Sequence, residues 1–197
     1  MFSTKTATIN NTEFSSPYMP VGINENVSLE SVEVRRSPQG KNFIEFVFVD
    51  DEGRKASFTE WKNEKNLWVK TDEDLQNRDN LQFGRILQLI NCYTSNVEFE
   101  ANSFGEMIEW VANTLNKLDT TKKLRLKVVY DKKGYTKVSS LGVYVEPMDV
   151  EESQIKIWKN DLLERPVVAD KESDNDPLSD IATPDTTVQS GADDLPF

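Results

Sequence analysis

Apolar and polar residues alternate along three successive stretches of the chain. They run from Val27 to Arg36, from Lys41 to Val49 and from Arg54 to Trp61. A strand turns alternate side chains to opposite faces, so this period of two predicts three strands. Ser37-Pro38-Gln39-Gly40 and Asp50-Asp51-Glu52-Gly53 separate them and carry the residues of tight turns, which makes the three a meander. The pattern then changes. Phe83, Ile86, Leu87 and Ile90 recur at helical spacing, as do Phe104, Met107, Ile108, Val111, Leu115 and Leu118. Ser103 with Glu106 three residues on predicts a capping box at the second helix.

Strict alternation returns from Lys123 to Tyr130, the loop Asp131-Lys132-Lys133-Gly134 reverses the chain, and Tyr135–Val145 reads as the partner strand, closed by Pro147. Glu151–Glu164 reads as one more short helix. Three strands, a helical insert between strands 3 and 4, and two more strands is the element order of the OB fold. That is a five-stranded Greek-key barrel that takes oligonucleotides across strands 2 and 3 and between loops 1-2 and 4-5. The expected class is therefore mainly β (α+β). An N-terminal arm is expected over 1–26, the barrel domain over 27–168, and a tail over 169–197.

Composition narrows the chemistry. The 197 residues contain no histidine and a single cysteine, Cys92. The usual Cys/His zinc sites, Ser-His-Asp and Cys-His nucleophile pairs and an imidazole base are excluded. Cys92 falls in the apolar helical pattern and reads as a small core residue in a reducing cytoplasm. Asp50-Asp51-Glu52-Gly53 reads as a hairpin rather than a cation loop, and no Gly-rich phosphate loop occurs. No catalytic residue, metal or cofactor is expected. No apolar run reaches the roughly 20 residues of a membrane span, and the start of the chain lacks an export signal, so a cytoplasmic protein is expected.

The formal charge of −11 is unevenly distributed. Residues 169–197 hold eight acids and one lysine, a net of −7, which leaves 26 acids and 22 bases before them, a net of −4. With no aromatic residue before Phe197, this segment cannot bury enough apolar surface to offset its ordering entropy, so a disordered acidic tail is expected. By contrast, Lys122–Lys137 carries seven bases and one acid. If Leu124, Leu126, Val128 and Tyr130 face the core, then Lys123, Arg125 and Lys127 form a basic stripe on the other face.

Lys132 and Lys133 extend the stripe into loop 4-5, and Arg35, Arg36 and Lys41 flank loop 1-2, with Lys55 on strand 3. Of Phe43, Phe46, Phe48, Phe58, Trp61 and Tyr135, two or three are expected to serve as stacking platforms, with Phe43, Trp61 and Tyr135 the candidates. Cations that track phosphates and flat rings that stack bases are the combination single-strand binders use. Two other classes fit less of the pattern. One is a protein-interaction scaffold. The other is a carboxylate nuclease built on Glu60, Asp72, Glu73 and Asp74, whose spacing matches no two-metal arrangement.

The last residues, Asp193-Asp194-Leu195-Pro196-Phe197, resemble the tip of bacterial single-stranded DNA-binding proteins, in which acidic residues, one aliphatic residue and Pro-Phe end a disordered acidic tail. The stretches Leu124-Arg125-Leu126-Lys127-Val128-Val129-Tyr130 and Lys133-Gly134-Tyr135 resemble the OB domains of bacteriophage single-stranded DNA-binding proteins. The resemblance implies a non-enzymatic protein of replication, recombination or repair acting in the cytoplasm of an infected bacterium. Such a protein is expected to bind single-stranded DNA and to recruit a polymerase, helicase or primase through Asp193, Asp194, Leu195, Pro196 and Phe197.

Overall fold

The first strand, β1 (Gly22–Arg36), runs for 15 residues and is bent at two points. Its register against its neighbours shifts between Asn24 and Val27 and again between Leu29 and Ser31. At the first shift Asn26 adopts a φ of 58°, a left-handed conformation that asparagine tolerates better than most residues. Such bulges bend a strand and increase its twist. β1 can therefore serve two partners in succession, all pairs antiparallel. Its first part pairs with β4 (Leu124–Tyr130) and its second with β2 (Asn42–Val49).

β3 (Lys55–Trp61) pairs with β2. β5 (Thr136–Val138) pairs with the end of β4, and β6 (Val145–Pro147) with its start. The sheet order β3-β2-β1-β4-β5 curls until β5 comes against β3 without pairing. The result is a mainly β, nearly closed five-strand antiparallel barrel with two helices. This computed structural model describes residues 16–95 and 97–166, so the arm before residue 16 and the acidic tail with its Asp193–Phe197 tip lie outside the described residues. Among the described residues no helix is long and apolar enough to cross a membrane.

Side-chain alternation fills the barrel. Ile44, Phe46 and Phe48 of β2, Val32 of β1, and Leu124, Leu126 and Val128 of β4 are buried in one core. The helices α1 (Asp72–Asn91) and α2 (Phe104–Leu115), between β3 and β4 in the chain, add Ile86, Leu89, Ile90, Ile108, Val111 and Leu115 to it. Cys92 also belongs to this core, and burial pushes its thiol up to about 12. α1 starts well before its apolar repeat, because Thr71 and Asp74 form a reciprocal capping box and three acids occupy the positive end of the helix. At α2 the Ser103 hydroxyl accepts from the Glu106 N–H, but the Glu106 carboxylate accepts from Asn102 rather than closing the expected box on Ser103.

β4 departs most from its sequence pattern. Lys127, expected on an exposed stripe, is fully buried. Its ammonium donates to the Leu141 and Lys156 carbonyls at 2.8 and 2.9 Å and to Asp161 Oδ2 at 2.9 Å. Asp161 accepts in turn from the Ser139 hydroxyl and the Trp158 N–H. Burial alone would raise the Asp161 carboxyl, but these hydrogen bonds outweigh it and hold the group below the usual carboxylate range.

The expected strand Tyr135–Val145 is interrupted for the same reason. The Lys127 carbonyl accepts from Ser139 N and the Lys127 N–H donates to Tyr144 O, so residues 140–143 loop out opposite a single residue of β4. Gly142 allows this excursion with a φ of 62°, and a Cβ there would come within 2.6 Å of the Trp158 indole nitrogen. The segment 151–164 is not the expected helix. It lies as an irregular strap whose N–H groups bond to side chains, Gln154 to Glu146 and Trp158 to Asp161, and it bridges Tyr130 at Leu162.

Removing one partner of a buried pair strands the other charge. Lys127→Ala is therefore expected to destabilise the fold by about 3–5 kcal/mol in urea unfolding. Because the folded pKa of Asp161 is depressed, its contribution is present above the unfolded value of about 3.9 and is lost as pH falls through the lower folded value. Asp161→Asn should correspondingly flatten the acid limb of the stability profile.

Candidate nucleic-acid interface

Because Ile44, Phe46 and Phe48 turn inward, Phe43 faces out, and the β2–β3 register sets it directly opposite Trp61. The two rings stack with centroids 4.2 Å apart and planes 19° from parallel. Trp61 is 41% exposed, and its indole N–H donates to Thr59 Oγ1 at 3.2 Å, which fixes the ring on the sheet. Phe46 and Phe58 also stack, but as part of the core, and Phe48 is fully buried. Of the six aromatic candidates, Trp61 and Tyr135 are exposed, Phe43 and Phe58 are half-buried, and Phe46 and Phe48 are buried.

Arg35 stands beside Phe43 on β1 and is paired with Glu45. The Glu45 hydrogen bond raises the Arg35 guanidinium pKa further, so its charge is permanent but shared. Arg36 donates to the Gly40 carbonyl and shapes loop 1-2, while Lys41 pairs with Glu64 at 2.9 Å. Lys55, at the opposite end of β3, pairs with Glu30 at 2.7 Å.

The basic stretch 122–137 divides sharply. Lys122 pairs with Asp149, Lys123 with Asp51, Arg125 with Glu25 and Glu146, and Lys127 with Asp161. Arg125 also donates to the Val150 carbonyl. The expected stripe of Lys123, Arg125 and Lys127 is thus neutralised by partners that the sequence places 21 to 100 residues away. Lys132, Lys133 and Lys137 are exposed and make no ion pair among the described residues. Their turn is ordered by Asp131, whose Oδ1 accepts from Lys133 N at 2.8 Å and Tyr135 N at 2.9 Å. The Tyr135 N–H bond is the main cause of its depressed pKa. Tyr135 itself is 67% exposed.

Between β3 and β5 the unpaired seam opens into a cleft of about 340 Å³, lined by Ser57, Thr59, Glu60, Arg85, Lys137 and Ser139. Glu60 is buried at its floor, held by Arg85 and Gln82 at 2.8–3.0 Å. The acids Glu60, Asp72, Glu73 and Asp74 do not converge, and among the described residues no group of three or more His, Cys, Asp or Glu is placed to hold a metal.

Two surface groups escaped the reading of the sequence. Lys137 was visible in the basic stretch, but only the seam shows it facing β3. Leu67 and Trp68 lie between β3 and α1 with no strand or helix period; their signal is an apolar pair standing between lysines. No protein-family model matches the chain, and no curated protein matches its sequence.

A stacked pair on an open face contributes little to folding, whereas a core ring contributes much. Phe43→Ala and Trp61→Ala are each expected to lower stability by at most about 1 kcal/mol. Phe46→Ala should cost about 3–5 kcal/mol. Thermal or denaturant unfolding distinguishes the two sets; a loss at Trp61 equal to that at Phe46 would assign Trp61 to the core.

Proposed function

We propose that the protein binds single-stranded DNA without sequence preference, in replication, recombination or repair, as an OB-type barrel resembling bacteriophage single-stranded DNA-binding proteins. The observation that carries this reading is the stack of half-buried Phe43 and exposed Trp61 on the outer face of β2–β3. That face lies next to loop 1-2, the place where OB barrels take oligonucleotides. The cyclic strand order, with β1 shared between β2 and β4 and β5 returning to β3, supports the same fold.

Bases unstack onto Phe43 and Trp61, each such contact being worth about 1–3 kcal/mol, and any base offers a π-face. Phosphates run along Lys132, Lys133 and Lys137, releasing counterions. The residues tied up in internal ion pairs, Arg125 and Lys127 above all, hold the barrel together rather than the strand. The protein acts by binding and protecting, with no catalytic step. Through the acidic tail and its Asp193-Asp194-Leu195-Pro196-Phe197 tip it recruits a replication partner such as a polymerase, helicase or primase, in the cytoplasm of the bacterial host. The apolar Leu195-Pro196-Phe197 beside Asp193 and Asp194 suits a small hydrophobic pocket with a basic rim.

Replacing Lys132, Lys133 and Lys137 together by Glu should weaken binding to oligothymidine and flatten the slope of log K against log salt by about 2, at roughly 0.7 per lost phosphate contact. Deleting Phe197 should abolish capture of replication proteins with DNA affinity intact. An unchanged salt slope in the triple variant would contradict the placement of the strand, and a wild-type protein that ignores oligothymidine would leave a protein scaffold as the reading.

A further inference from the structure

Leu67 and Trp68 are 84% and 85% exposed, the most exposed large apolar side chains among the described residues. Their backbone is nevertheless tightly held. Asn66 Oδ1 accepts from Trp68 N at 2.8 Å and Val69 N at 3.1 Å, and Asn66 and Val69 exchange both backbone hydrogen bonds. Val69 is 1% exposed and anchors the turn from below. The flanks are fixed as well. Asn63 donates to Asp79 and Gln82 of α1, Lys65 pairs with Asp72 at 2.6 Å, and Glu64 pairs with Lys41 of loop 1-2. The segment begins at Trp61, so a braced loop leads from the Phe43–Trp61 stack to a projecting indole.

Its free charge is positive: Glu64 and Lys65 are taken up by Lys41 and Asp72, while Lys62 and Lys70, which flank the tip along the chain, are exposed and make no ion pair among the described residues. Two side chains are too small a patch for a stable protein interface, which needs roughly 800 Å² per partner. A single nucleobase needs only one ring. We propose that Trp68 is a second stacking site, taking an unstacked base of the same strand beyond the β2–β3 face, with Leu67 packing beside it. This rests on the single-strand-binding reading and extends its footprint past loop 1-2.

The test is Trp68→Ala in the full chain, titrated with oligothymidines of increasing length at several salt concentrations. Unchanged thermal unfolding is expected from so exposed a residue. Short oligomers confined to the sheet should bind wild type and variant equally. Longer ones should bind the variant about tenfold more weakly, the lower end of what one stacked base contributes. The salt slope should not change, since stacking releases no counterions. In a second protein carrying Trp61→Phe, Trp110→Phe and Trp158→Phe, the remaining Trp68 emission should respond to long oligomers and not to short ones. Equal affinity at every length and unresponsive Trp68 emission, in a protein that binds oligothymidine, overturns this proposal and leaves the function standing. Absence of binding by the wild type at any length overturns both.

Discussion

The buried pair of Lys127 and Asp161 organises half of this molecule. A charged ammonium placed on the outer face of β4 must either reach water or be paired, and here it is paired and coordinated by two carbonyls. To supply those groups the chain after β5 loops out over residues 140–143, returns as β6, and then lays residues 151–164 across the strand. β4 is consequently buried on both faces. The strap ends at loop 4-5, where the Arg165 side chain lies against Gly134, so a Cβ at Gly134 would sit 3.0 Å from the Arg165 Nε. One ion pair thus couples the strand, the strap and the loop that carries the exposed lysines.

That coupling decides which cations are available. The strand face that reads as a basic stripe is internally neutralised, and the positive surface moves to the loop and seam at Lys132, Lys133 and Lys137. The aromatic surface lies elsewhere, on β2–β3, because alternation there is simple: three apolar residues inward and Phe43 outward. On the proposed function, a bound strand would meet rings on the sheet and charge at the loop and along the open seam between β3 and β5. Acids remain on the outer face, Glu33 and Glu45 among them, and Glu45 is balanced by Arg35.

Where burial was one-sided, the sequence was readable. β2 and β3 follow their period of two, and of the repeat Phe83, Ile86, Leu87 and Ile90 the two isoleucines are buried in the core while Phe83 and Leu87 pack against it half-buried. The polar first half of α1 was not readable from hydrophobicity, since its support is the Thr71–Asp74 capping box. Nor was the start of β1, where Asn24 is buried by donating to the Pro20 carbonyl and Asn26 bends the chain. Lys127 misled because alternation reports orientation, not what lies above a face, and Asp161 is 34 residues away. The same limit applies to Trp68, whose exposure is set by an Asn66 turn rather than by any period.

The four tryptophans offer a direct test, since they are distributed over distinct regions: Trp61 on the sheet, Trp68 on the turn before α1, Trp110 on α2 and Trp158 on the strap. Indole N–H resonances of the full chain, followed by NMR during titration with oligothymidine, report each of them separately. The account predicts that Trp61 shifts strongly and saturably while Trp110 and Trp158 stay in place. Saturable binding that moves Trp110 or Trp158 and leaves Trp61 untouched, or no shift at any indole, would contradict it.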